Sequence, residues 1–82
     1  MQAGIVELDL HGMNTYQAKI TVDSQLKRAK AGVYRIRLIH GYHGGTALRD
    51  MIRKEYAHRS GVLRTEVGLN QGETDLVLRE WY

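Results

Sequence analysis

Apolar residues switch period repeatedly along this chain, and glycines stand at the switches. Val6, Leu8 and Leu10 alternate with Glu7 and Asp9, the period of two expected of a strand with one covered face. Ala18, Val22, Leu26 and Ala29 then recur at helical spacing. Tyr34, Ile36 and Leu38 return to period two, against Arg35 and Arg37 on the other side. Leu48, Met51, Ile52 and Tyr56 are helical again. Residues 62–67 and 74–78 read as two more strands joined by a turn at 69–73. Gly12, Gly32, Gly41, Gly44, Gly45, Gly61, Gly68 and Gly72 punctuate these segments, and no proline interrupts them.

That order, βαβαββ, fixes much of the topology. A strand–helix–strand crossover makes its strands parallel and right-handed, so the first three strands share a direction. The short turn before the last strand makes it antiparallel to its partner. Two helices are too few to cover both faces of a sheet, so the expected fold is an α/β two-layer sandwich. Its mixed four-stranded sheet has the helices on one face and Arg35 and Arg37 on the open one, beside Glu7 and Asp9 or in solvent. Asn14 with Gln17 forms a capping box for the first helix, Met13 with Ala18 its staple, and Gly32 its terminator. Thr46 caps the second helix, which runs to about residue 58, and Trp81 and Tyr82 close the chain against the sheet rim.

At 82 residues there is room for one domain, residues 1–82, and one core. A 43% hydrophobic composition is too rich for a disordered chain. The absence of cysteine rules out disulfides and thiolate metal sites. No apolar run approaches the roughly 18 residues of a membrane span, and no signal-peptide pattern is present, so the expected address is the cytoplasm, with no membrane partner. A net charge of +3 is compatible with a polyanionic partner and does not require one.

The topology gathers chemistry at one edge. Asp9, His11 and Gly12 leave the first strand where His40, Gly41 and His43 leave the second, and Gly72, Glu73 and Thr74 enter the last strand there. Open α/β sheets bind ligands at this rim. The segment His40-Gly41-Tyr42-His43-Gly44-Gly45-Thr46 runs into a helix N-terminus, whose free N–H groups suit an anion, with Arg49 one turn in. It lacks the lysine and spacing of a P-loop, and on its own it serves equally as a tight turn. Three of the four histidines lie at the rim. Imidazoles there suit general acid–base work, with Asp9 on the same side of its strand as His11 to orient it; alternatively they cap strand ends. A metal site of Asp9, His11, His40 and His43 competes, without support from a His-x-x-His spacing. Tyr42 is placed to stack on a base or to cover the core. Lys27, Arg28 and Lys30 fit a solvated helix end.

Leu8-Asp9-Leu10-His11-Gly12 resembles the opening signature of Smr (small MutS-related) domains. His40-Gly41 through Leu48-Arg49 resembles their central glycine-rich segment, one residue longer here and with His43 where a glycine is usual. Gly72-Glu73-Thr74 with Leu76 and Leu78 resembles their closing run. The resemblance implies a fold similar to the C-terminal domain of translation initiation factor three. It also implies a nucleic-acid-binding module, in many members a DNA-nicking or RNA-cleaving endonuclease, often part of a larger protein such as MutS2. It puts catalytic roles on Asp9, His11 and His40. It also carries over Arg49 and Thr74, which with Gly41, Tyr42, His43, Gly44 and Gly45 of the loop are the expected phosphate or nucleic-acid contacts, and a divalent metal is required by some members and not others.

The expected function is phosphodiester cleavage in DNA or RNA. The alternatives are a non-catalytic DNA- or RNA-binding module that positions a larger repair or ribosome-associated protein, and a protein-interaction domain. Because the rim is rich in imidazole and poor in carboxylate, cleavage is expected to favour RNA, survive chelation and follow a bell-shaped profile between about pH 5 and 8.

Overall fold

The computed structural model describes residues 4–29, 31–41 and 46–80. The elements are β1 (Ile5–Asp9), α1 (Thr15–Arg28), β2 (Arg35–Ile39), α2 (Ala47–Tyr56), β3 (Arg64–Val67) and β4 (Glu73–Val77). They form one four-stranded sheet in the order β1-β2-β4-β3. β1 and β2 are parallel, and β4 is antiparallel to both β2 and β3. The first three strands therefore share a direction, as the crossovers require, and β4 lies between two of them.

The first helix begins as its sequence dictates. Asn14 Oδ1 accepts the N–H of Gln17 at 2.7 Å, and Gln17 Oε1 accepts the N–H of Asn14 at 3.0 Å, so a reciprocal capping box satisfies two otherwise orphaned donors. Met13 packs on the core beside this cap. The helix ends at Ala29, before Gly32 is reached. The second helix begins differently. Thr46 stands at its N-cap position, but its hydroxyl donates to the Asp50 carboxylate at 2.9 Å and caps no backbone N–H. The helix stops at Tyr56, short of His58.

Leu10, Ala18, Val22, Ile36, Leu38, Ile52, Tyr56, Val62, Leu76 and Leu78 form one buried cluster between the sheet and the helices. Tyr56 is entirely buried, and its hydroxyl donates to Asp23 at 2.7 Å across the helix pair. Burial, and then the carboxylate beside it, push the Tyr56 phenol well above its ordinary value.

The open face of the sheet is not solvated in the simple sense. Arg37 sits directly across from Asp75 on β4 and binds it through two N–H groups at 3.1 Å each. Arg35 reaches the same carboxylate diagonally at 2.7 Å and Glu66 at 3.0 Å. Asp75 is only 1% exposed under these two guanidiniums. Glu7 shares the face and lies beside Arg37 in register, but among the described residues the arginines hydrogen-bond to Asp75 and Glu66, with Glu73 3.9 Å from Arg37, and not to Glu7 or Asp9.

Candidate nucleic-acid interface

The rim builds from strand ends. Leu10 N–H donates to the Ile39 carbonyl at 2.7 Å, which ties the exit of β1 to the exit of β2. The main-chain N–H groups of His40 and Gly41 both donate to the Gly72 carbonyl at 2.9 Å, which ties the entry of β4 to the same place. Two glycines make the exits: Gly12 has φ +82° and Gly41 φ +76°, values that L side chains adopt at a cost. A β-carbon added to Gly41 would stand 3.8 Å from His11 Cβ, so the two exits are in contact. The expected convergence of Asp9, His11, His40, Gly41, Gly72 and Thr74 is present.

Within that neighbourhood the two histidines differ. His11 is exposed, and its Nδ1–H donates to Asp9 Oδ1 at 2.5 Å. The same oxygen accepts the His11 main-chain N–H at 3.2 Å. Asp9 therefore fixes the tautomer and leaves Nε2 without a bonded partner among the described residues. The hydrogen bond to Asp9, with its charge, raises the His11 pKa, and the His11 side-chain bond, then its N–H, lowers that of Asp9.

His40 faces inward and is 5% exposed. Its Nδ1–H donates to the Gly41 carbonyl at 2.8 Å, and in the neutral ring Nε2 accepts the Thr74 hydroxyl at 2.9 Å. Both ring nitrogens are thus committed inside the protein. Thr74 is fully buried on this bond, so its hydroxyl belongs to His40 rather than to the surface. Sequence parity carries this distinction: His40 continues the alternation of Ile36 and Leu38, on the covered side, whereas His11 continues that of Glu7 and Asp9.

Arg49 lies one turn into α2, partly exposed, with Nε on Asp50 Oδ1 at 3.2 Å. Tyr42, His43, Gly44 and Gly45 lie outside the described residues. Among the described residues no group of three or more His, Cys, Asp or Glu side chains is placed to hold a metal ion. Asp9 and His11 together supply two ligands, one short of the three protein ligands usual at a catalytic zinc. No helix among the described residues is long and apolar enough to cross a membrane.

A two-layer α/β sandwich with its polar groups gathered where parallel strands end defines the class of this molecule. The Smr domain family model matches residues 8–74, and the chain belongs to that family. The crystal structure of the Smr domain of Thermus thermophilus MutS2 superposes with a TM-score of 0.81 at 32% identity, covering 92% of this chain and 99% of that one. No curated protein matches the sequence.

Proposed function

We propose that this Smr domain binds nucleic acid at the β1–β2–β4 rim and cleaves its phosphodiester backbone, with His11 as the group that moves the proton. The observation that carries this reading is an exposed imidazole, held by a carboxylate at one nitrogen and without a partner at the other among the described residues, on a residue at the strand end beside left-handed Gly41. A structural histidine has no need of that exposure. Asp9 orients His11 and favours its charged form. The Gly41 N–H is taken by the Gly72 carbonyl, so Gly41 shapes the turn, while the phosphate falls to Gly44, Gly45 and Arg49 and the contacts to the strand to Tyr42 and His43. The burial of His40 supports giving it the work of positioning: it links the Gly41 carbonyl to Thr74 and so sets the loop against β4.

RNA carries its own nucleophile. Its 2′-oxygen attacks the adjacent phosphorus, the hydroxyl proton passes to solvent, the bond from phosphorus to the 5′-oxygen breaks, and protonated His11 supplies the proton to that leaving oxygen. The product ends are a cyclic phosphate and a 5′-hydroxyl. The charged form of His11 that Asp9 stabilises is the acid this step needs. The same charged imidazole also suits plain phosphate binding, which keeps a second reading alive: a non-catalytic module that positions a larger, MutS2-like protein.

Labelled RNA and DNA, incubated with divalent metal and with chelator, decide between these. Cleavage of RNA in chelator, lost in His11→Ala with binding retained, supports the enzyme. Binding without cleavage under every condition supports the module. Metal-dependent nicking of DNA with RNA untouched overturns the proposed chemistry.

A further inference from the structure

An exposed aromatic side chain, Tyr16, stands in the first turn of α1, at the end of the helix nearest the rim. Lys19 Nζ lies 3.6 Å from Glu55, and Asp23 accepts from Arg59 at 2.9 Å and from Tyr56 at 2.7 Å, so this flank of α1 faces α2. Tyr16 precedes Lys19 and Asp23 on that flank, at i, i+3 and i+7. The pairs 19–55 and 23–59 also show that the helices run side by side in the same direction. Tyr16, in the first turn of α1, therefore stands about level with Ile52 of α2 and follows His11 by one short capped turn.

Its environment is unlike that of Tyr56. Tyr56 is buried with its hydroxyl bonded, whereas Tyr16 is 73% exposed, and Ile20, one turn on, is 51% exposed. An exposed tyrosine and isoleucine adding nothing to the core, on the helix that the His11 turn leads into, together with that exposed cation-forming imidazole provide the two things an unpaired nucleotide needs: a flat apolar surface for the base and a charged donor for the phosphate.

We infer that Tyr16 is a stacking platform for an unpaired nucleobase whose phosphate is held at His11, so that the preferred ligand is single-stranded or looped-out nucleic acid rather than continuous duplex. This rests on the rim being a nucleic-acid site. A paired base presents no open face to Tyr16; an unpaired one does, whatever its identity.

The test is fluorescence anisotropy with a labelled single strand, the same strand with one abasic position moved along it, and the corresponding duplex. The wild type should prefer the single strand and be sensitive to base removal at one position. Tyr16→Ala should weaken single-strand binding by on the order of 5- to 150-fold, leave the salt slope unchanged and abolish the abasic sensitivity. Tyr16→Phe should bind like the wild type, because the ring and not the hydroxyl does the stacking. Circular dichroism should show both variants folded, the side chain being exposed. Undiminished binding by Tyr16→Ala, with His11→Ala or Arg49→Ala weakened, overturns this inference and leaves the rim site standing. Preference for the duplex overturns it as well. If the wild type binds no nucleic acid of any form, the reading of the rim fails and this inference with it.

Discussion

Arg35 and Arg37 on the open sheet face and His11 at the rim each hold a carboxylate, and the two regions put that arrangement to different uses. On the open face the carboxylate of Asp75 is buried, and two guanidiniums cover it from adjacent positions on β2. Arg64 is likewise taken up by Glu66 and Glu80, at 2.7 and 2.6 Å. Little of that charge is left for a ligand. At the rim, Asp9 and His11 are both exposed, and one imidazole nitrogen has no partner among the described residues. Charge that is satisfied on all sides holds a sheet together, whereas charge satisfied on one side only is oriented and still available. The distinction supports the rim rather than the broad face of the sheet as the proposed binding surface, although the face carries more arginines.

The sharpest way to break this comparison is to remove Asp75. Asp75→Ala leaves Arg35 and Arg37 without their shared partner, and truncating one side of a buried charged cluster typically costs about 3–5 kcal/mol. Urea denaturation should show a loss of that size. A loss under about 1 kcal/mol would mean that the network behaves like an ordinary surface ion pair and that the face is open to ligands after all. Thr74→Val is the next largest. It keeps the shape but leaves His40 Nε2 without its hydroxyl, at a cost of about 1–3 kcal/mol for a buried unpaired acceptor. A neutral Thr74→Val would remove the argument that His40 is a positioning residue.

Arg49→Ala has little effect on stability and should act on binding. One lost phosphate contact lowers the salt slope by about one unit. Arg64→Gln, on the open face, should leave the slope unchanged, and so should Lys27→Ala at the end of α1. A slope that responds to Arg64 and not to Arg49 would move the interface from the rim to the sheet face.

How much of this was legible beforehand depends on how local each signal is. The Asn14–Gln17 box, the parallel β1–β2 pair and the antiparallel β4 follow from short-range spacing and from crossover geometry, and they are found where the sequence puts them. The Asp9–His11 bond follows from strand parity alone. The burial of His40 was equally legible by that rule, since Leu38 and His40 are two apart, but a histidine beside a glycine loop invites a catalytic reading first. What the sequence could not announce is which distant carboxylate meets Arg35 and Arg37. Asp75 reaches them only because β4 inserts between β2 and β3, and strand order depends on how the whole sheet packs. The Thr46 cap failed for a local reason: Asp50, four residues on, offers its hydroxyl a charged acceptor.

The smallest expected effect bears most directly on the chemistry of the rim. In the folded protein the His11 pKa lies above its ordinary value near 6.5, chiefly through the hydrogen bond to Asp9, and that of Asp9 lies below its own. The raised histidine stabilises the fold fully below its unfolded pKa and loses that contribution as pH rises through the folded one. The lowered carboxylate contributes above its unfolded pKa and loses that as pH falls through the folded one. The pair is therefore at full strength between the carboxylate and imidazole ranges, roughly pH 4 to 6.5, and fades on both sides. Because both groups are exposed, the change in stability should be slight, and the signal to follow is the imidazole itself. The His11 ring protons, observed by NMR across pH, should titrate above the ordinary histidine midpoint in the wild type and return toward it in Asp9→Asn, which keeps a hydrogen-bond acceptor but removes the charge. If His11 is the acid that protonates the leaving oxygen, the alkaline limb of the RNA-cleavage profile should move down by the same interval in Asp9→Asn. A midpoint that shifts while the cleavage limb stays put would separate the two, leaving Asp9–His11 as a phosphate-binding pair and the proton transfer to another group.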